Sequence, residues 1–154
     1  IEVINKGVPG ETASQARERF EIDVLSLDPD IVILELGAND YLRGVPSERT
    51  KEDLKYMVEK LSARGTIVFV AKFFPKKSIV SFIKSKDKKS YDEMYKELSS
   101  EKNVFLIEDI WGEAWGRPKY MSDTVHPNEK GYEIMAEKYF EAVKVLFEYN
   151  NLVK

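Results

Sequence analysis

The chain has 154 residues, enough to bury the core of one domain, and its 43% hydrophobic and 33% charged residues exclude a disordered polymer. The net charge is -3 and no basic stripe interleaves with aromatic residues, which argues against nucleic acid as a partner. The lack of cysteine excludes disulfides and thiolate metal sites, and no apolar run reaches the ~18 residues of a membrane span.

Ile1 to Ile4 alternates apolar and polar residues over too short a span to define a strand. Asn5-Lys-Gly-Val-Pro-Gly10 is a turn cluster. Thr12-Ala-Ser-Gln15 has the form of a capping box: the threonine hydroxyl accepts from the Gln15 N–H and the glutamine side chain reaches back. Ala13, Ala16, Phe20, Val24 and Leu27 follow at steps of three and four, predicting one helix face that breaks at Asp28-Pro-Asp30. Ile31 to Leu36 is a nearly continuous apolar run, as expected of a strand covered on both faces. It ends at Gly37, and residues 38–47 read as a loop.

Leu54, Met57, Val58 and Leu61 mark the next helix, with Gly65 placed for a left-handed C-cap. Thr66 to Ala71 is a second buried strand, and Pro75 ends that region. Ile79, Val80, Phe82 and Ile83 fit either a short amphipathic helix or a loop over a pocket. The basic stretch Lys84 to Lys89, interrupted by Asp87, reads as a solvated face. Tyr91, Met94, Tyr95 and Leu98 give a third helical face, and Asn103 to Ile110 a third strand. Trp111 to Met121 is a loop whose two tryptophans read as packing residues. Tyr132, Met135, Tyr139, Val143 and Leu146 predict a last helix, with Pro127 at its first turn.

Strands alternating with helices predict an α/β fold, a parallel sheet with helices on both faces. Ligands of such sheets sit beyond the carboxyl ends of the strands. The Gly7–Gly10 turn, the Gly37–Asp40 turn and the Asp123–His126 loop are therefore expected to converge at one sheet edge.

His126 is the only histidine and the first candidate for acid–base chemistry near neutral pH. Asp123, three residues earlier, is close enough to fix its tautomer and stabilise the imidazolium. Asn39 offers side-chain N–H donors and Gly10 an unobstructed backbone N–H, the two kinds of donor that make an oxyanion hole. Blander readings stand beside these. Asp-x-x-His before a helix also serves as a cap with a surface histidine, Asn39-Asp40 as a plain turn, and Gly7 to Gly10 as a helix-entry loop. One histidine and no cysteine give no metal-ligand set, and no cofactor is implied.

Three blocks in order, Asn5-Lys-Gly-Val-Pro-Gly10-Glu-Thr12, Gly37-Ala-Asn-Asp40 and Asp123-Thr-Val-His-Pro-Asn128, resemble the SGNH (GDSL-type) hydrolase family. The likeness is nearest to its bacterial thioesterase I/arylesterase/lysophospholipase branch, where a run like Glu35 to Gly44 is typical. Tyr91 to Tyr95 also resembles the family's helix before its last strand. The resemblance implies a flavodoxin-like three-layer α/β/α fold with about five parallel strands, in a single domain over residues 1–154. It implies that His126 is the general base, Asp123 its orienting carboxylate, and Gly10 and Asn39 the oxyanion donors. Gly37 would permit the turn that aims Asn39. Asp40, Tyr41, Leu42 and Arg43 would line the substrate mouth as a mobile loop.

One element of the pattern is absent. The family's nucleophile is a serine in a Gly-Asp-Ser block on the first strand, and no Gly-Asp-Ser occurs here. Ser14 falls inside a helix; Ser26, Ser62, Ser99 and Ser100 fall near helix ends; Ser122 adjoins Asp123 in the wrong block. On the family template Ile1 to Ile4 would be the second strand. Without the first, central strand, its neighbours would stand about 10 Å apart with unpaired backbone. An upstream segment carrying that strand is therefore expected, and the compartment stays open because a leader would lie there too.

The expected activity is serine-esterase hydrolysis of small-molecule carboxylic esters or thioesters through an acyl-enzyme, with no nucleic acid and no membrane span involved. Acyl and alcohol specificity and oligomeric state are not readable from the residues. The first rival is a non-catalytic binding or scaffold module of the same fold completed by a partner. The second is a nucleotide or flavin binder, disfavoured by the lack of a phosphate loop or three-glycine fingerprint.

Overall fold

The computed structural model describes residues 1–74 and 85–149. The capping box starts the first helix as expected. Thr12 Oγ1 accepts from the Gln15 N–H at 3.4 Å and Gln15 Oε1 accepts from the Thr12 N–H at 3.0 Å, opening α1 (Ala13–Asp23). The helix ends four residues before the expected Leu27 and tightens into a 3₁₀ turn, Leu25–Leu27. The tighter turn rotates the chain, so Leu25 goes into the core and Leu27 faces solvent.

The apolar runs become β1 (Ile31–Leu34) and β2 (Ile67–Ala71), paired in parallel with Ile31 opposite Ile67 and Ile33 opposite Phe69. Between them lie α2 (Ala38–Leu42) and α3 (Ser47–Ala63). Leu54, Met57, Val58 and Leu61 are all buried on α3, which packs against β2 and α1. Gly65 takes φ +85°, the left-handed conformation that lets the chain reverse out of α3 into β2.

α4 (Ser85–Leu98) buries Tyr91, Met94, Tyr95 and Leu98 and packs on α3. β3 (Val104–Ile107) follows and lies beside β2, giving the strand order β1-β2-β3. α5 (Glu129–Tyr149) closes the chain. The expectation for Ile79 to Ile83 falls outside the described residues.

The described chain forms two compact units. Residues 1–73 and 85–106 build one, around the sheet, α1, α3 and α4; residues 74 and 107–149 build the other, around α5. Among the described residues the sheet has three strands where about five were expected. Ile1 to Ile4 carries no strand, because an extended segment becomes one only when a neighbour pairs with it. β1 and β3 are the outer strands, and Ile33, Phe69 and Phe105 make an apolar row across the sheet. The Phe69 and Phe105 rings stack at 5.4 Å, and Ile33 and Phe105 stay 41% and 47% exposed.

Candidate active site

The sheet-bearing unit holds Gly10 and Asn39. The turn at Val8 to Glu11 closes with a Glu11 N–H to Val8 carbonyl bond of 3.3 Å, and Gly10 sits at φ +78°. That conformation favours glycine because it has no Cβ to meet the following carbonyl. The Gly10 N–H has no partner among the described residues.

Asn39 is on the first turn of α2, directly after Gly37. Gly37 takes φ +103°, and a Cβ there would lie 2.5 Å from the Tyr95 hydroxyl. That hydroxyl, from α4, donates to the Leu36 carbonyl at 2.7 Å. Burial pushes the Tyr95 phenol well above its ordinary pKa, so it remains a donor. Glycine at 37 thus admits the tyrosine that anchors the strand end, and the chain turns there into α2.

α2 and its C-cap residue Arg43 fasten the Gly10 turn through three side chains. Asn39 Nδ2 donates to the Glu11 carbonyl at 3.0 Å. Asp40 Oδ2 accepts from the Ala13 N–H at 2.9 Å, capping α1 from outside. Arg43 Nη2 donates to the Gly10 carbonyl at 2.7 Å. Behind them, Thr50 Oγ1 donates to Asp40 Oδ1 at 3.2 Å and lies 3.0 Å from the Tyr91 hydroxyl, which donates to the Val45 carbonyl at 2.8 Å.

Two expectations for residues 40–43 change. The segment is a helix through Leu42, not a loop. Asp40, expected at the substrate mouth, is 1% exposed, because its carboxylate serves the α1 N-terminus and Thr50. Tyr41 is half-buried, with its ring edge-on to Tyr91 at 5.5 Å, while Leu42 and Arg43 are exposed. A cleft of about 270 Å³ opens beside Tyr41, lined also by Gly44, Val45, Pro46 and Ser47. The supporting roles of Thr50, Tyr91 and Tyr95 had no sequence signal, since each partner lies ten to fifty-nine residues away.

The second unit holds Asp123 and His126. Asp123 Oδ1 accepts from the Val125 and His126 N–H groups at 2.8 and 2.7 Å, and Oδ2 meets His126 Nδ1 at 2.7 Å. The Val125 N–H first, then the histidine ring and the His126 N–H, hold the Asp123 carboxyl down at about 2. An ionised carboxylate on Nδ1 selects the tautomer with the proton there, leaving Nε2 as the basic nitrogen. The loop is tied off by the Ser122 N–H to the His126 carbonyl (2.8 Å) and by the Asn128 N–H to the Tyr120 carbonyl (2.9 Å). Ser122 Oγ donates to the Pro127 carbonyl at 3.2 Å.

α5 begins at Glu129, two residues after Pro127. Asn128 is its cap, accepting from the Gly131 N–H at 3.1 Å, and Pro127 precedes the helix in a bridge with Met121. Tyr132, expected on the buried face, is exposed; Met135 and Val143 are buried. Trp111 and Trp115 are buried against each other, with ring centroids 4.4 Å apart.

Comparison with known proteins identifies the family. Residues 1–134 match the model of the GDSL-like lipase/acylhydrolase family. The chain belongs to that family. It is 24% identical over 136 residues to thioesterase 1/protease 1/lysophospholipase L1 of Escherichia coli strain K12, covering 88% of this chain and 64% of that protein. It is 27% identical over 138 residues to an arylesterase of Vibrio mimicus, covering 89% and 67%. Among solved structures it resembles the psychrotrophic esterase EstA of Pseudoalteromonas sp., with TM-score 0.81, 25% identity, and 94% and 78% of the two chains covered. The chain therefore spans just under two thirds of the length of the Escherichia coli relative it matches. The α/β class with a parallel sheet is that of the GDSL fold, and no described helix is long and apolar enough to cross a membrane.

Proposed function

We propose that this GDSL-family chain belongs to a serine esterase that hydrolyses carboxylic esters or thioesters by acyl transfer to water. The observation that carries the reading is the Asp123–His126 pair, a carboxylate on Nδ1 at 2.7 Å with its own charge stabilised by two backbone N–H groups. A histidine held in one tautomer with Nε2 basic is what an activated hydroxyl nucleophile requires.

In this reading a serine from outside these 154 residues attacks the substrate carbonyl as His126 Nε2 takes its proton. The C–O or C–S bond to the leaving group then breaks, and His126 returns the proton to that group. Water attacks the acyl-enzyme with the same base, releasing the acid and restoring the serine. Gly10 N–H and the Asn39 amide donate to the oxyanion, each worth about 3 kcal/mol of transition-state stabilisation. The cleft beside Tyr41 receives part of the substrate. Support for an additional segment comes from the sheet: β1 is an outer strand although its sequence is that of a buried one, and Ile33 remains exposed.

The test uses the natural protein with p-nitrophenyl esters and a fluorophosphonate probe. Wild type should hydrolyse the ester and take up one probe molecule on a serine, and His126→Ala should abolish both. Hydrolysis that survives His126→Ala would sink the assignment. A wild type inert to ester and probe alike would favour a binding module of the same fold.

A further inference from the structure

We infer that Arg43 is a positioning residue for the oxyanion hole, acting through Gly10, and is not a substrate contact. This rests on the oxyanion roles proposed above for Gly10 and Asn39. Asn39 is on α2 and Arg43 is the C-cap of the same helix, and both side chains reach carbonyls of the Gly10–Glu11 pair. Asn39 is tied to the Glu11 carbonyl at 3.0 Å, and Arg43 to the Gly10 carbonyl at 2.7 Å. Asp40, between them in sequence, holds the Ala13 N–H at 2.9 Å. One short helix and its C-cap therefore grip three points of a four-residue segment.

The consequence concerns which atoms are free to move. The Gly10 N–H belongs to a turn closed internally only by one long bond of 3.3 Å. Gly10 itself, at φ +78° without a side chain, has little intrinsic preference to hold that N–H in one direction. The Arg43 guanidinium fixes the Gly10–Glu11 peptide plane, the neighbour of the plane that carries the Gly10 N–H, and so narrows the directions that N–H can take. Because Arg43 caps the helix that carries Asn39, the side-chain donor and the backbone donor are tied to one element. A charged donor suits the task, since charge-assisted bonds are shorter and stronger than neutral ones. Arg43 is exposed, so it is not needed to fill a core.

Misaligning an oxyanion donor weakens transition-state binding and leaves ground-state binding nearly intact. In the natural protein, Arg43→Ala should lower kcat for p-nitrophenyl acetate 10- to 100-fold with KM changed less than threefold. Arg43→Lys, which keeps a charged donor, should recover most of the loss. In an Asn39→Ala background the same Arg43→Ala change should cost clearly less than it does alone, because the two donors act as a unit. Exchange of the Glu11 amide with deuterium should quicken about tenfold in Arg43→Ala.

A raised KM with unchanged kcat would make Arg43 a substrate contact and overturn the inference, as would fully additive losses or no effect. If the wild type proves inactive, the esterase reading fails and the exchange measurement alone decides the clamp: unchanged exchange at Glu11 overturns it.

Discussion

Asp123 spends its two oxygens on three donors within its own loop, and only one of these is the histidine ring. The carboxylate therefore builds the turn as well as orienting the imidazole. Its pKa is held at about 2, below the ordinary 3.8. A carboxyl depressed in this way contributes to the folded loop at every pH above its unfolded value. The contribution fades as pH falls from about 4 through about 2. The side-chain carbon resonance of Asp123 should accordingly titrate near pH 2. A midpoint at or above 4 would show that the loop amides do not hold the charge. Loss of hydrolysis on mild acidification to pH 5 should then not trace to Asp123.

At the scale of elements, α5 and the loop before it are built as one piece. A Cβ on Gly131 would collide with the Tyr120 carbonyl oxygen and lie 2.8 Å from Pro127 Cβ. Helix propensity alone favours Gly→Ala by about 1 kcal/mol. Overpacking against groups that cannot yield costs about 1–3 kcal/mol, and here the main obstacle is backbone. Gly131→Ala should therefore lower the melting temperature by several degrees and displace the Tyr120–Asn128 loop. A raised melting temperature would mean the loop gives way freely.

Elements whose signals are local were legible in advance: the Thr12–Gln15 box, the β1 and β2 runs, and the α3 and α4 faces. α2 was not, since a five-residue helix is too short to show a helical period, and it read as a loop. The burial of Asp40 escaped for the same reason as the Arg43–Gly10 bond. Both are decided by partners about thirty residues away, and no spacing rule reaches that far. The pairing of Asp123 with His126 was legible because it closes within three residues.

For the whole molecule, the two compact units divide the proposed machinery. The proposed oxyanion donors belong to the sheet-bearing unit and the proposed acid–base pair to the α5 unit. Both of the chain's tryptophans, Trp111 and Trp115, lie in the α5 unit, buried and edge-on at 4.4 Å. The sheet-bearing unit, in contrast, has Tyr41, Tyr56, Tyr91 and Tyr95 among its aromatic residues and no tryptophan.

Nature has thus labelled one half of the molecule with a fluorophore and left the other dark. Emission excited at 295 nm should follow melting of the half that carries His126, while far-ultraviolet dichroism follows both. If the two curves superimpose in denaturant, the halves unfold as one cooperative body. If emission shifts first or last, each half has its own stability, and one spectrometer reads them separately.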